Sequence, residues 1–179
     1  MFGIGIYRLG PEWWGGGLFL ATIKQKEILL SLLQKTYWIE VEMEQLVVWE
    51  SRIELMGEDR EALAILSNDS DGHRLIVEKW LNKARIPIPD KAPPGLPVKK
   101  FDFAGMDSRK MFREIMKYEI LARDSYTDIE NADSSIIDEM FDDEQDQKDF
   151  LSDMRKLIAD EEKHRKICDN RVGGYKTIY

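Results

Sequence analysis

The chain has 179 residues, of which 43% are hydrophobic, and its formal net charge is -8. This length suits one domain with a substantial apolar core, and the acidic balance argues against non-specific nucleic-acid binding, which depends on basic surface. The single cysteine, Cys168, excludes an intramolecular disulfide and a Cys-x-x-Cys metal site, and it suits a reducing, cytoplasmic compartment.

The first 21 residues are rich in aromatic residues and glycine, and they predict an N-terminal arm that packs on the rest of the chain. They lack the ordered basic start, continuous apolar stretch and cleavage site of a secretory signal. No run of the sequence approaches 18 apolar residues, so we expect no membrane span. The main domain is predicted over residues 22–170, followed by a loose tail over 171–179.

Apolar residues recur at helical spacing in four stretches of the chain. We predict helices over residues 22–56, 59–84, 108–131 and 143–170, with Ser108 as an N-cap and a short helical turn around Ile136. Five of the six prolines lie in residues 85–97, where they exclude helix because proline lacks an amide donor. No strand pattern is visible. Two helical hairpins joined by a long proline-rich crossover describe an all-α four-helix bundle.

Three of these helices carry ionisable residues on their apolar faces. Glu161 and His164 stand three apart on the stripe of the last helix, so their side chains share one face. Glu119 and His73 lie on the apolar faces of the third and second helices in the same way. An ionised carboxylate buried without compensation costs several kcal/mol, and a bound cation supplies that compensation.

The first helix offers three glutamates, Glu40, Glu42 and Glu44. Residues two apart on a helix point about 200° apart, so Glu42 faces one way and the other two face roughly the other. The apolar stripe that runs from Ile28 to Ile53 is centred on Glu42. We therefore predict that Glu42 faces the core, with Glu40 or Glu44 as the alternative.

Glutamate oxygens and neutral imidazole nitrogens together suit iron or manganese. Cysteine ligands are missing from this pattern, which disfavours a structural zinc site. The residues predicted to bind metal are Glu42, His73, Glu119, Glu161 and His164.

This pattern resembles the ferritin-like di-iron carboxylate superfamily, which includes rubrerythrin-like proteins. In that family helices 1 and 3 each supply a Glu, and helices 2 and 4 each supply a Glu-x-x-His motif. Residues 118–126 (YEILARDSY) are similar to the helix 3 motif, residues 160–164 (DEEKH) to the helix 4 motif, and residues 63–81 to the helix 2 segment. The resemblance covers roughly residues 22–170 and implies a ferritin-like four-helix bundle.

One residue departs from the family pattern. Three residues before His73 stands Ser70, where the family has Glu, and Asp69 lies four residues before the histidine. The resemblance implies two iron ions per chain, with manganese as the alternative metal. The loss of one carboxylate leaves a lopsided two-metal site, a single metal or a lapsed site as alternatives.

The resemblance also implies a function. Such a protein oxidises Fe(II) with dioxygen or hydrogen peroxide, in iron handling or in protection against oxidative stress, and is expected to form a homo-oligomer such as a homodimer. Rubrerythrins carry a cysteine-ligated iron domain, for which this chain lacks the cysteines, so any electron donor is expected to be external. The alternative function is a non-catalytic ferritin-like interaction module with a degenerate metal site.

Overall fold

The computed structural model describes residues 23, 25–46, 48, 55, 57–94, 96 and 101–173. Within these residues the chain forms five helices and no strand, which confirms the all-α prediction for this part of the chain. The arm predicted for residues 1–21 lies outside the described residues. The helices are α1 (Lys26–Glu44), α2 (Glu58–Lys83), α3 (Ser108–Glu130), α4 (Ser134–Met140) and α5 (Glu144–Val172).

The four long helices pack side by side as a helical bundle. The most extensive contacts join α3 to α5, followed by those between α1 and α2. α1 also contacts α3, and α2 also contacts α5, so the four helices close a ring around one core. None of the helices in the described ranges is both long enough and apolar enough to cross a membrane.

Aspartate caps begin three of the helices. The side chain of Asp107 accepts a hydrogen bond from the backbone N–H of Lys110, so Asp107, not the predicted Ser108, is the N-cap of α3. Asp133 and Asp143 cap α4 and α5 in the same way. A side-chain oxygen at this position satisfies a backbone donor that the first helical turn leaves without a partner.

The first helix differs from the prediction in its rotation. α1 spans Lys26–Glu44, residues 46 and 48 are also helical, and Leu55 is not; residues 47, 49–54 and 56 of the predicted helix lie outside the described residues. Ile28, predicted on the core face, is 48% exposed. The residues of α1 that are buried are Leu29, Leu33, Thr36, Ile39, Glu40 and Met43. The core face is therefore rotated relative to the predicted stripe.

The connection between α2 and α3 is long, as the prolines predict. Its described residues, 84–94, 96 and 101–107, are not helical. The side-chain amide of Gln34 donates to the carbonyl oxygen of Pro87 over 2.9 Å, and Phe103 is buried. These contacts attach the connection to the bundle.

An aromatic cluster fills one part of the core. Trp80 is fully buried and packs edge-on against Phe141 and Phe150, with ring centroids 5.3 Å away in both cases. Its indole N–H donates to the carboxylate of Asp153 over 2.9 Å. Edge-to-face packing together with a satisfied indole N–H is the favourable arrangement for a buried tryptophan, and here it joins α2 to α5.

Candidate metal centre

Five ionisable side chains from the four long helices are buried in the bundle. Glu40 of α1, Glu119 of α3 and both Glu161 and His164 of α5 are each 1% exposed, and His73 of α2 is 4% exposed. Charged residues are almost never fully buried unless they are paired or bind a cation. The five groups therefore require a common explanation.

The structure brings together four of the five residues predicted as metal ligands. The prediction that Glu42 faces the core is wrong, because Glu42 is only half-buried and Glu40 takes the inner position. The cause is the rotation of α1 described above. Since Glu40 and Glu42 point about 200° apart, an error in the rotation exchanges one for the other.

One half of the cluster lies between α3 and α5. The Nδ1 atom of His164 is 3.2 Å from Oε2 of Glu119 and 3.6 Å from Oε2 of Glu161. On its outer side, Nε2 of the same histidine is 3.0 Å from Oδ2 of Asp69 on α2. We call Glu119, His164 and Oε2 of Glu161 the α3–α5 half-site.

The other half lies between α1 and α2. The Nδ1 atom of His73 is 2.8 Å from Oε1 of Glu161 and 3.8 Å from Oε2 of Glu40. The hydroxyl of Tyr126 donates to Oε1 of Glu40 over 2.6 Å. We call Glu40, His73 and Oε1 of Glu161 the α1–α2 half-site.

Glu161 is shared, with one oxygen facing each half-site. The imidazole rings of His73 and His164 stack on each other, with centroids 5.4 Å apart and an angle of 27° between the planes. One ligand atom from each of His73, Glu161 and His164 lies within 4.8 Å of the others. Ligand bonds to a transition metal are about 2.0–2.2 Å long, so this spacing is close to what one ion can span.

Three buried atoms in the cluster have no hydrogen-bond partner: Nδ1 of His73, Oε1 of Glu161 and Oε1 of Glu119. The first two lie 2.8 Å apart, at ion-pair distance. A buried polar atom without a partner costs about 1–3 kcal/mol, and coordination to a cation removes that cost. The residues present therefore fit a metal ion chemically.

Burial and mutual contact shift the pKa values of the carboxyl groups in opposite directions. Burial raises the pKa of Glu40 to about 8 and raises that of Glu119 well above its usual value. Burial also favours the neutral form of Glu161, but contacts with His164, His73 and Glu119 outweigh it and lower the pKa to about 2. Glu161 is therefore the permanent anion of the cluster.

The neighbouring carboxylates raise the pKa values of both histidines. Burial alone would lower the pKa of His164, but Glu119 and Glu161 outweigh burial and raise it to about 11. The pKa of His73 is raised in the same way, against burial, by Glu161 and Glu40. Without metal, the raised pKa values favour protonated histidines, which pair with the carboxylates around them.

We expect metal binding to release protons. The pKa of Glu40 is raised to about 8 and that of His164 to about 11, so both groups hold a proton near neutral pH. Each must lose that proton to coordinate a metal. Affinity for Co(II) should therefore rise between about pH 6 and pH 8. Calorimetry in two buffers of different ionisation enthalpy measures the number of protons released. An affinity independent of pH and of buffer would contradict this prediction.

Position 70 is buried but carries no carboxylate. Ser70 is 1% exposed and lies one turn before His73 on the inner face of α2. Asp69 does not replace the missing group, because its carboxylate contacts the outer nitrogen of His164 and not the Nδ1 side. The cluster therefore has three inner carboxylates and two histidines.

The sequence analysis considered Asp69 only beside His73 and did not identify Asp160. Asp69 of α2 contacts His164 of α5, and Asp160 of α5 approaches Nε2 of His73 at 3.7 Å. A signal for both was available, since Asp-x-x-x-His occurs once in each helix, at 69–73 and at 160–164. Such carboxylates orient a histidine and select its tautomer.

Comparison of this chain with protein-family models, with curated proteins and with solved structures finds no match. The function is therefore argued below from the geometry and chemistry of the buried cluster.

Proposed function

We propose that this protein binds iron within a ferritin-like four-helix bundle and oxidises Fe(II) with dioxygen or hydrogen peroxide. The observation that carries the proposal is the buried cluster of three carboxylates and two histidines, in which three polar atoms have no hydrogen-bond partner. Carboxylate and imidazole ligands without thiolate suit iron, with manganese as the nearest alternative.

The order of helix contacts supports the ferritin-like part of the proposal. Each consecutive pair of long helices on either side of the connection packs together, α1 with α2 and α3 with α5. The long connection over residues 84–107 joins the two pairs, and such a crossover is the connection expected of ferritin-like bundles.

The residues of the cluster would have distinct tasks. Glu161 would join the two half-sites through its two oxygens, while Glu40 and Glu119 would each bind on one side and balance charge. Asp69 would orient His164 so that its Nδ1 faces the metal, and Tyr126 would orient Glu40. The bound iron would supply the electron-transfer chemistry, and an external donor would return electrons in a peroxidase cycle.

The test is metal content with matched variants. Metal-free protein is loaded anaerobically with Fe(II) and desalted; iron per chain and the near-ultraviolet spectrum are measured before and after exposure to air. We expect about one to two irons per chain and new ligand-to-iron absorption in air. Glu40→Gln should lower the iron content, while Glu42→Gln, two residues away and half-buried, should leave it unchanged.

A second candidate function is a non-catalytic interaction module that has lost its metal site. Two observations favour it: Ser70 occupies the place of a carboxylate, and the metal-free cluster is partly satisfied by the Tyr126–Glu40 and His164–Glu119 contacts. Folded wild-type protein that retains no iron would support this candidate and contradict the redox function. Equal iron content in the Glu40→Gln and Glu42→Gln variants would exclude Glu40 as a ligand.

A further inference from the structure

We propose that the two half-sites bind metal unequally, and that Ser70 causes the difference. The α3–α5 half-site holds one divalent ion tightly, and the α1–α2 half-site holds a second ion at least about 10-fold more weakly, which corresponds to about 1.4 kcal/mol. This inference rests on the proposed function, because it assumes that the cluster binds metal.

The first argument is the number of ligands that each helix contributes. α5 contributes Glu161 and His164, which are one turn apart and both buried. The matching positions on α2 hold Ser70 and His73, so α2 supplies a histidine but no carboxylate. The α1–α2 half-site therefore takes its second carboxylate oxygen from Glu161 of α5, which it shares with the α3–α5 half-site. A serine hydroxyl carries no charge and is a poor substitute for a carboxylate on a hard cation.

The second argument is the carboxylate beside the outer nitrogen, Nε2, of each histidine. Asp69 lies 3.0 Å from Nε2 of His164, within hydrogen-bond distance. Asp160 lies 3.7 Å from Nε2 of His73, and its carboxylate is also engaged by Lys163, whose Nζ is 2.6 Å away. Loss of such an outer carboxylate typically lowers metal affinity about 10–100-fold, so His164 is the better-prepared ligand.

The third argument concerns the two outer glutamates. Oε1 of Glu40 already accepts the Tyr126 hydroxyl at 2.6 Å, which leaves only Oε2 towards His73. Oε1 of Glu119 is buried and has no hydrogen-bond partner, and its Oε2 lies 3.2 Å from Nδ1 of His164, which is itself a proposed ligand of the same half-site. The α3–α5 half-site therefore has more ligand atoms available.

The fourth argument is charge. The three inner carboxylates carry at most three negative charges, whereas two divalent ions bring four positive ones. Asp69 and Asp160 add negative charge outside the histidines, but Asp69 lies beside His164 and Asp160 is paired with Lys163, so the charge of an ion in the α1–α2 half-site is the less well compensated of the two. A carboxylate at position 70 would remove this imbalance.

The test is an equilibrium titration of the metal-free protein with Co(II) alone. Binding is measured by equilibrium dialysis and by the visible absorption of the bound Co(II). The wild type should bind about one ion tightly and a second about 10-fold more weakly or worse. His164→Ala should remove the tight ion, and His73→Ala should keep it. Ser70→Asp and Ser70→Glu should each raise the affinity for the second ion by about 10-fold. The aspartate variant is included in case the longer glutamate side chain does not fit.

Each outcome decides between the two proposals. Two ions of equal affinity in the wild type would overturn the inequality and leave metal binding intact. Loss of the tight ion in His73→Ala would do the same, whether or not His164→Ala also loses it, because the tight ion would then depend on His73. No bound ion in folded wild type would overturn the proposed function itself. Helical content by circular dichroism identifies variants that fail to fold, and His164→Gln, which keeps a polar side chain of similar size, replaces His164→Ala if that variant unfolds.

Discussion

Glu161→Ala is expected to abolish metal retention, the largest functional effect of any single substitution in this protein. Glu161 offers one oxygen to each half-site, so its loss removes a ligand from both at once. Its contacts with His164, His73 and Glu119 also outweigh burial and lower its pKa to about 2, so Glu161 is ionised at neutral pH. The measurement is iron per chain after anaerobic loading and desalting.

The matched control is Glu162→Ala on the same helix. Glu162 is half-buried and makes ion pairs with Arg165 and Arg123 on the outer face of α5. Exposed pairs of this kind contribute about 0–1 kcal/mol, so the control should fold and bind metal like the wild type. Undiminished iron in Glu161→Ala, or equal losses in both variants, would contradict a ligand role for Glu161.

Trp80→Ala should cause the largest loss of stability, about 3–5 kcal/mol in the free energy of unfolding. Trp80 is fully buried, packs against Phe141 and Phe150, and donates its indole N–H to Asp153. Its removal leaves a large cavity between α2 and α5 and deprives Asp153 of a hydrogen bond. Denaturant unfolding of the metal-free protein measures the change.

Trp80→Phe is the control for this prediction, because it retains most of the ring packing and loses only the N–H donor and part of the volume. It should cost roughly 1–2 kcal/mol. Trp80 lies two turns, about 10 Å, beyond His73 on α2, so folded Trp80→Phe should bind metal normally. Equal, small losses of stability in the two variants would show that the aromatic cluster contributes little.

Local patterns predicted most of the helices and four of the five buried ionisable residues. The spacing of Glu161 and His164 is a property of one helix, since residues three apart share a face whatever packs against them. The same holds for the position of Ser70 relative to His73. The prolines of residues 85–97 likewise excluded helix without reference to any other part of the chain.

The choice between Glu40 and Glu42 could not be made in this way. The apolar residues of α1 spread around much of its circumference, with Ile28 exposed and both Leu29 and Leu33 fully buried. A stripe of that width fits more than one rotation. The contacts of α1 with α2 and α3 select the rotation, and they bring Glu40 to Tyr126, 86 residues away in sequence.

For α2, α3 and α5 the sequence by itself thus determined which helix face carries the ionisable side chains, because helical periodicity is local. Only the tertiary structure decided how those faces meet. Asp69 contacts the histidine of α5 and Asp160 approaches the histidine of α2, so each carboxylate lies beside the histidine of the opposite helix, not the one four residues along its own. Such pairings depend on the relative rotation and the axial offset of two helices. These are set by side-chain packing summed over the whole interface, which no single motif records.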